Sequence, residues 1–218
     1  MKLRAVVFDV DGVLLSIRNS WGYFHEIFGT SREAEENYRL YLEGKITYYE
    51  WLVKDVALWI NKRGKIHLSE LSRIASKLKP SREAYEVFDE LRKRGIKTAL
   101  LSAGINIVVR RLARELGADF WMANTLEFDE EGYLLPEGIP CVPGGRKDLA
   151  LPFVEESLRV SREYMMFVGD SVWDIAVMKL VACPVLYGDD KNVTAYAKKR
   201  VKSLYEIVEI VDCNCCNA

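Results

Sequence analysis

Three short apolar runs in this sequence each end abruptly at a polar residue. The runs and the residues that follow them are Ala5–Phe8 with Asp9, Thr98–Leu101 with Ser102, and Met165–Gly169 with Asp170. Continuous apolar runs of this length are typical of strands buried on both faces, as in a parallel sheet. Two further candidate strands are Phe120–Met122 and Pro184–Tyr187.

Helical patterns lie between these runs. Ser81 at an N-cap and Glu83 in the first turn predict a helix whose apolar stripe includes Phe88 and which ends at Gly95. Further helices are predicted over about residues 106–116, 147–159, 172–181 and 204–211. Strands that alternate with helices form βαβ units, so the expected fold class is α/β with an open parallel sheet.

Residues 16–79 interrupt this alternation. The segment contains no convincing strand, and its patterns predict helices around residues 20–28, 31–42, 47–62 and 69–78. We therefore expect a helical insertion, residues 16–79, in an α/β core made of residues 1–15 and 80–218. Ten of the 24 aromatic residues lie in this insertion. We interpret them as a small hydrophobic core, with an aromatic substrate pocket as the alternative.

A second, smaller insertion is predicted at residues 126–141. Two apolar stretches flank Asp129-Glu130-Glu131-Gly132, which has the composition of a turn. This pattern predicts a small β-hairpin within the core.

Charge and hydropathy narrow the possible partners. The chain has 31 basic and 32 acidic residues, a formal net charge of −1, which argues against a nucleic-acid or membrane-surface binder that depends on bulk charge. No stretch reaches the ~18 apolar residues of a membrane span. Asp9 and Asp11 interrupt the apolar run that a signal peptide needs. We expect a cytoplasmic protein; the sequence gives no indication of its oligomeric state.

The five cysteines are unevenly distributed. Cys141 and Cys183 are isolated, whereas Cys213, Cys215 and Cys216 crowd the end of the chain. No histidine or CxxC partner lies near them, as a soft-metal site would require, and the terminal residues do not suit prenylation. We expect no disulfide framework, and we interpret this end as a frayed terminus.

The polar residues after the predicted strands are expected to meet. The carboxyl ends of parallel strands lie at one edge of the sheet, where ligands bind. This edge would gather Asp9, Asp11, Ser102, Asp170 and Asp174. Several carboxylates share a small site only if a cation or a proton offsets their repulsion. Ligands that are all oxygen indicate Mg²⁺.

Two further residues could handle a phosphoryl group. Lys147 follows Pro143-Gly144-Gly145 and could offset the charge of an anionic intermediate, although a solvated lysine is the alternative. The Ser102 hydroxyl could bind a phosphoryl oxygen, assisted by the amides of Ala103 and Gly104 at an expected helix start. A simple helix cap would use the same geometry.

Together these residues form an ordered set of motifs. The set comprises Asp9-Val10-Asp11-Gly12-Val13, Leu100-Leu101-Ser102, Lys147, and Gly169-Asp170-Ser171-Val172-Trp173-Asp174. In order and spacing it resembles the four motifs of the haloacid dehalogenase superfamily, and it covers nearly the whole chain outside residues 16–79. The resemblance implies a Rossmann-like core with a helical C1-type cap inserted after the first motif.

The resemblance also implies catalytic roles. Asp9 would be the nucleophile that becomes aspartyl-phosphate, and Asp11 would be the general acid and then the base that activates water. Ser102 and Lys147 would hold the phosphoryl group. Members that remove halides lack an aspartate at the position of Asp11, so this residue favours hydrolysis of a phosphate monoester of a small metabolite.

A metal site is implied by the same resemblance. Mg²⁺ would be bound by the Asp9 carboxylate, the Asp11 backbone carbonyl and Asp170, with Asp174 supporting the metal shell. The phosphonate-cleaving branch of the superfamily needs a Schiff-base lysine in the cap. None is identifiable, although Lys45, Lys54, Lys62, Lys65 and Lys77 keep that reaction open.

Within the superfamily the chain resembles phosphoserine phosphatases. Glu43–Tyr48 is similar to a segment of their cap, and the 126–141 hairpin is similar to their small β insertion. In an ungapped comparison, the cap glutamate that meets the serine amine falls at Arg18, and the cap arginine near the serine carboxylate falls at Asp55. Ser102-Ala103-Gly104 also stands where Ser-Gly-Gly is usual. The opposite charges would repel phosphoserine, so we hypothesise that another phosphate ester is preferred.

Three other functions are compatible with these motifs. They are phosphotransfer to an acceptor other than water, phosphoserine phosphatase activity proper, and a non-catalytic binding module of the same fold. A binding module would have a degenerate catalytic set, whereas all the acidic motif positions are intact here.

Overall fold

The computed structural model describes residues 2–213 and residue 216, and a seven-stranded sheet runs through this part of the chain. The strands are β1 (Ala5–Phe8), β2 (Lys97–Ile105), β3 (Phe120–Phe128), β4 (Leu134–Ile139), β5 (Met165–Gly169), β6 (Cys183–Tyr187) and β7 (Lys199–Val201). Their order is β4-β3-β2-β1-β5-β6-β7, and neighbours are parallel except for the antiparallel pair β3–β4. The predicted α/β class with an open parallel sheet is confirmed.

Helices cover both faces of the sheet. They are α1 (Ser20–Phe28), α2 (Ser31–Leu42), α3 (Tyr48–Arg63), α4 (Leu68–Ala75), α5 (Arg82–Lys93), α6 (Asn106–Leu116), α7 (Leu151–Leu158), α8 (Ile175–Met178), α9 (Lys191–Thr194) and α10 (Tyr205–Cys213). Among the described residues, 3₁₀ helices also span Lys147–Ala150, Arg162–Tyr164 and Val172–Asp174. None of the described helices combines the length and the apolar character that a membrane span requires.

Two predicted helices are shorter than expected. The helix predicted over 147–159 begins as a 3₁₀ turn, and α7 starts only beside Pro152. Because Pro152 has no backbone N–H, it cannot donate an α-helical hydrogen bond to the turn before it. The one predicted over 172–181 is divided into a 3₁₀ turn and the four-residue α8.

The sheet has a hydrophobic core on each face. In β1, Val6 and Phe8 pack into one core, while Ala5 and Val7 pack into the other. All four are buried, which accounts for the uninterrupted apolar run in this central strand.

Four helices and no strand lie between β1 and α5. Thr47 and Glu50 form a capping box at the start of α3, which satisfies amides that the helix leaves free. Phe24 and Phe28 of α1 pack against the buried ring of Trp59 from α3, at centroid distances of 5.5 and 5.6 Å. These rings belong to the same hydrophobic cluster as Phe8 of β1, so the helical segment shares a hydrophobic core with the sheet.

Ser102 does not begin a helix, so that prediction was wrong. Strand β2 continues through Ser102 to Ile105, which pairs with Asn124 of β3, and α6 begins only at Asn106. Pairing with β3 keeps the backbone extended beyond the apolar run.

The expectation of a frayed cysteine-rich end is also corrected. Cys216 is 3% exposed and forms a disulfide with Cys183, the first residue of β6. The bond joins positions 33 residues apart and links Cys216 to the sheet. Cys215 lies outside the described residues.

Loss of this disulfide should destabilise the fold. Closing a loop of this length contributes ~3–4 kcal/mol in the chain-entropy model, so Cys216→Ser should lower the Tm by roughly 10 °C. The measurement is thermal unfolding with and without reductant, with Cys141→Ser as the control because Cys141 is a free thiol. A Tm for Cys216→Ser equal to that of the oxidised wild type would contradict the prediction.

Candidate active site

The register of three neighbouring strands brings the first site residues together. Phe8 of β1 pairs with Leu100 of β2 on one side and with Val168 of β5 on the other. Asp9 follows Phe8 directly, and Ser102 and Asp170 each lie two residues beyond the partner of Phe8. All three therefore lie at the carboxyl edge of the sheet. Proteins of the α/β class bind ligands at this edge, at the point where the strand order reverses, which here is next to β1.

Lys147 is the cation at this edge. Its Nζ atom lies 2.7 Å from Asp9 Oδ2 and 2.6 Å from Asp174 Oδ1, and its side chain is 2% exposed. Burial acts to lower the pKa of Lys147, but the negative charges of Asp174 and Asp9 outweigh it and raise the pKa above its ordinary value. The lysine therefore stays protonated, and it is not the solvated lysine that was the alternative.

Asp9, Asp170 and Asp174 form an acidic cluster. One carboxylate oxygen from each lies within 4.8 Å of the others. Burial, together with the charges of Asp174 and Asp170, raises the pKa of Asp9 well above its usual value against the lowering effect of Lys147. Burial and the charge of Asp174 raise the pKa of Asp170 to about 6. Such shifts are the sign of carboxylates that a cation would stabilise.

The backbone at Gly12 fits closely around this cluster. Gly12 has a φ of +81°, and a Cβ atom there would lie 2.0 Å from Asp170 Oδ2. A side chain at this position is excluded both by the backbone conformation and by the carboxylate.

Asp174 has little free capacity for a metal. Its Oδ1 accepts from Lys147, and its Oδ2 accepts from the backbone N–H groups of Asp170 and Ser171 at 3.0 and 3.1 Å. Its side chain is completely buried. Asp174 therefore orients Lys147 and the loop that carries Asp170.

Asp11 presents one free oxygen. Its Oδ2 accepts from the Ser20 backbone N–H at 2.8 Å, whereas its Oδ1 is buried with no hydrogen-bond partner among the described residues. Burial raises the pKa of the Asp11 carboxyl. These features suit a group that gives up and takes back a proton.

Ser102 lies against the Gly104 backbone. Ser102 Oγ accepts from the Gly104 N–H at 3.0 Å, which leaves the hydroxyl proton available to a ligand. A Cβ at Gly104 would lie 2.5 Å from Ser20 Oγ and 3.0 Å from Ser102 Oγ. Because Gly104 has no side chain, this part of β2 can lie close to Ser20.

These residues share one cavity of about 500 Å³. Of the residues predicted from the sequence to bind or react, seven line it: Asp9, Asp11, Ser102, Ala103, Gly104, Lys147 and Asp170. Asp174 does not, because it lies behind Lys147. Arg18 and Asp55, the two positions with charges opposite to those expected, line the same cavity.

Sequence reasoning missed Asn124 of β3, a buried residue that organises the cavity wall. Its Nδ2 donates to the Ala103 carbonyl at 2.7 Å and to the Tyr48 hydroxyl at 2.9 Å, and its Oδ1 accepts from the Val142 N–H. The contacts join four segments that are distant in sequence. An isolated asparagine in an apolar strand carries no motif, so only its polarity could have drawn attention to it.

Comparison with known proteins identifies relatives over most of the chain. Phosphoserine phosphatase of Methanocaldococcus jannaschii is 25% identical over 199 residues, 85% of this chain and 86% of that protein. Phosphoserine phosphatase of Streptococcus thermophilus is 26% identical over 216 residues, 95% of each chain. An (S)-2-haloacid dehalogenase of a Pseudomonas species is 22% identical over 188 residues, 79% of this chain and 78% of that protein.

Solved structures share the fold. A phospho-aspartyl intermediate analogue of phosphoserine phosphatase superposes with a TM-score of 0.77 at 22% identity, covering 97% of this chain and 100% of that one. Phosphoserine phosphatase in apo form superposes with a TM-score of 0.79 at 20% identity, covering 96% and 100%. The model of the haloacid dehalogenase-like hydrolases matches residues 3–181. The chain therefore belongs to the haloacid dehalogenase-like hydrolase family, and its similarity to phosphoserine phosphatases extends over most of its length.

Proposed function

We propose that the protein hydrolyses a phosphate monoester of a small molecule through an aspartyl-phosphate on Asp9. The observation that carries the proposal is the buried contact of Asp9 with Lys147, next to Asp11, Ser102 and Asp170 in one cavity. The phosphatases among the relatives support it.

The first half of the reaction uses Asp9 and Asp11. A carboxylate oxygen of Asp9 attacks phosphorus, the bond from phosphorus to the ester oxygen breaks, and the leaving oxygen takes a proton from Asp11. The buried, unpartnered Oδ1 and the raised pKa of Asp11 support its role as the acid. Lys147 and the Ser102 hydroxyl offset and bind the phosphoryl oxygens.

The second half releases phosphate. Asp11, now ionised, takes a proton from water, the water oxygen attacks phosphorus, and the bond between phosphorus and Asp9 breaks. Hydrolysis therefore returns both carboxyl groups to their starting states.

The residues present fit a divalent cation. Burial and the charges of neighbouring carboxylates raise the pKa of Asp9 and of Asp170, so a bound cation would stabilise their ionised forms. The oxygens of Asp174 are already used in hydrogen bonds within the protein. We propose that Asp9, Asp170 and the Asp11 carbonyl hold Mg²⁺, which prefers such oxygen ligands. When bound, the ion offsets negative charge on the carboxylates and phosphoryl group.

We propose that residues 16–79 act as a cap on the core formed by residues 1–15 and 80–218, with 126–141 as a small insertion. The cavity lining supports this division. Trp21, His25 and Asp55 come from the helical segment, and they share the cavity with Asp9 and Lys147 from the core.

Substitution of the two motif aspartates should separate the steps. Asp9→Asn should lower phosphate release by at least ~10³-fold, because an amide is not a nucleophile at phosphorus. With p-nitrophenyl phosphate, whose leaving group needs no proton, Asp11→Asn should still give a burst of p-nitrophenol but turn over slowly. The measurement is rapid-mixing absorbance with Mg²⁺ present. Wild-type activity in Asp9→Asn would exclude the mechanism.

Asp174→Asn should destabilise the site. The substitution removes one of the two carboxylates that hold the buried Lys147, so the free energy of unfolding should fall by roughly 3 kcal/mol, the lower end for a broken buried pair. Asp148→Asn is the matched control, because Asp148 pairs with an exposed arginine and should matter by less than ~1 kcal/mol. The measurement is urea unfolding; equal effects would contradict this role for Asp174.

Phosphoserine should not be the preferred substrate. Both substrate-selecting positions, Arg18 and Asp55, carry the charge opposite to that expected for phosphoserine recognition, and both line the cavity. The measurement is steady-state kcat/KM for phosphoserine against a panel of phosphate esters with Mg²⁺. If phosphoserine is clearly the best substrate, the hypothesis is wrong.

A further inference from the structure

The helical side of the cavity contains a buried carboxylate. Asp55 of α3 is 3% exposed and lines the cavity. Its Oδ1 accepts from Asn37 Nδ2 at 2.9 Å, and its Oδ2 lies 3.3 Å from His25 Nε2. In the described part of the chain, no lysine or arginine forms an ion pair with Asp55.

His25 contacts Asp55 through Nε2 and two other side chains through Nδ1. The Nε1–H of Trp59, which can only donate, makes a hydrogen bond of 2.9 Å to His25 Nδ1. Thr30 Oγ1 lies 2.8 Å from the same nitrogen. With Nδ1 accepting from Trp59, the imidazole carries its proton on Nε2, on the side of Asp55. The His25 Nε2 atom is buried, and its contact with Asp55 Oδ2 at 3.3 Å does not have the geometry of a hydrogen bond.

Burying a carboxylate that has no lysine or arginine partner is costly, and a cationic ligand would offset that cost. Asp55 lies among aromatic side chains, since a pocket of about 20 Å³ is lined by Asp55, Leu52 and the rings of Trp21, Tyr48 and Trp51. All of these except Leu52 also line the large cavity. Aromatic faces next to a carboxylate favour an organic cation, which they bind through cation–π attraction.

We propose that Asp55 and the surrounding rings bind a positively charged leaving group, so that the substrate is the phosphate monoester of an amino alcohol. The inference rests on the phosphatase activity proposed above and names its substrate class. The anionic phosphoryl group would lie at Lys147 and the ammonium group at Asp55, at the two charged walls of one cavity.

A carboxylate beside the ammonium group is disfavoured. It would approach the Asp55 carboxylate in a site removed from water, where repulsion between like charges is strong. Arg18 lines the cavity but is exposed, so its charge is screened by solvent and weighs less than that of buried Asp55. The expected substrate is therefore a simple amino alcohol phosphate and not an amino acid phosphate.

The test compares 2-aminoethyl phosphate with propyl phosphate, which has the same shape without the charge. A hydrogen bond to a charged group corresponds to a preference of roughly 10- to 100-fold in kcat/KM for the aminoethyl ester. In Asp55→Asn this preference should fall to within about threefold. Because both esters are measured on the same sample, loss of folded protein cancels from the ratio. The preference should persist in Glu35→Gln, which removes a carboxylate from an exposed position of the cavity lining.

Two outcomes would overturn the inference. One is an enzyme that hydrolyses p-nitrophenyl phosphate but prefers propyl phosphate, phosphoserine or neither; phosphatase activity would then stand while the substrate class falls. The other is a preference for the aminoethyl ester that Asp55→Asn leaves intact. An enzyme that hydrolyses none of these esters with Mg²⁺ would instead refute the phosphatase proposal itself, and this inference with it.

Discussion

The Nζ atom of Lys147 lies between the carboxylates of Asp9 and Asp174, with almost no contact with solvent. Parallel strands bring the ends of β1 and β5 side by side, which would place Asp9, Asp170 and Asp174 in mutual repulsion if nothing opposed their charge. One buried ammonium group opposes that repulsion, while burial together with the charges of the neighbouring carboxylates raises the pKa of Asp9 and of Asp170. The remaining demand for positive charge is what makes this edge of the sheet suited to a divalent ion.

The opposite wall of the cavity has the same kind of incompleteness. Asp55 is buried against Asn37 and His25, and no lysine or arginine of the described residues pairs with it. The two walls of the cavity differ in the kind of cation that would offset their negative charge. The carboxylates at the sheet edge suit an inorganic ion with oxygen ligands, whereas a carboxylate among rings suits an organic cation. One cavity can therefore orient a molecule that carries an anionic group at one end and a cationic group at the other.

The sequence predicted those parts of the structure that depend on local patterns. The apolar runs before Asp9 and Asp170 mark real strands, and motif order identified Lys147 although its ion pairs span up to 138 positions. Predictions failed where pairing between distant segments decides the outcome. Strand β2 continues past Ser102 because β3 lies beside it, and Cys216 is buried because it is bonded to Cys183, which lies 33 positions earlier in the chain. The short elements α9 and β7, with four and three residues, are too brief to show a period. The contact of His25 with Asp55 had no signal at all, since neither residue lies in a motif.

The site residues at the sheet edge could be predicted and those on the helical side could not, because the two sides of the cavity are held in place by different interactions. Asp9, Ser102 and Asp170 follow strands whose backbones are hydrogen-bonded in a fixed register, so the sequence around them is constrained by the sheet. Arg18 precedes α1 and Asp55 lies within α3, and the positions of these helices depend on side-chain packing around Trp59. Ten aromatic residues in the helical segment were interpreted as its core, and the structure gives them both roles: Phe24 and Trp59 are core, while Trp21 and Trp51 line the cavity. Packed helices can exchange a charge facing the cavity without disturbing the strand register. A chain about one-quarter identical to phosphoserine phosphatases can therefore carry the full motif set and still have, at Arg18 and Asp55 of the cavity lining, charges opposite to those expected for phosphoserine recognition.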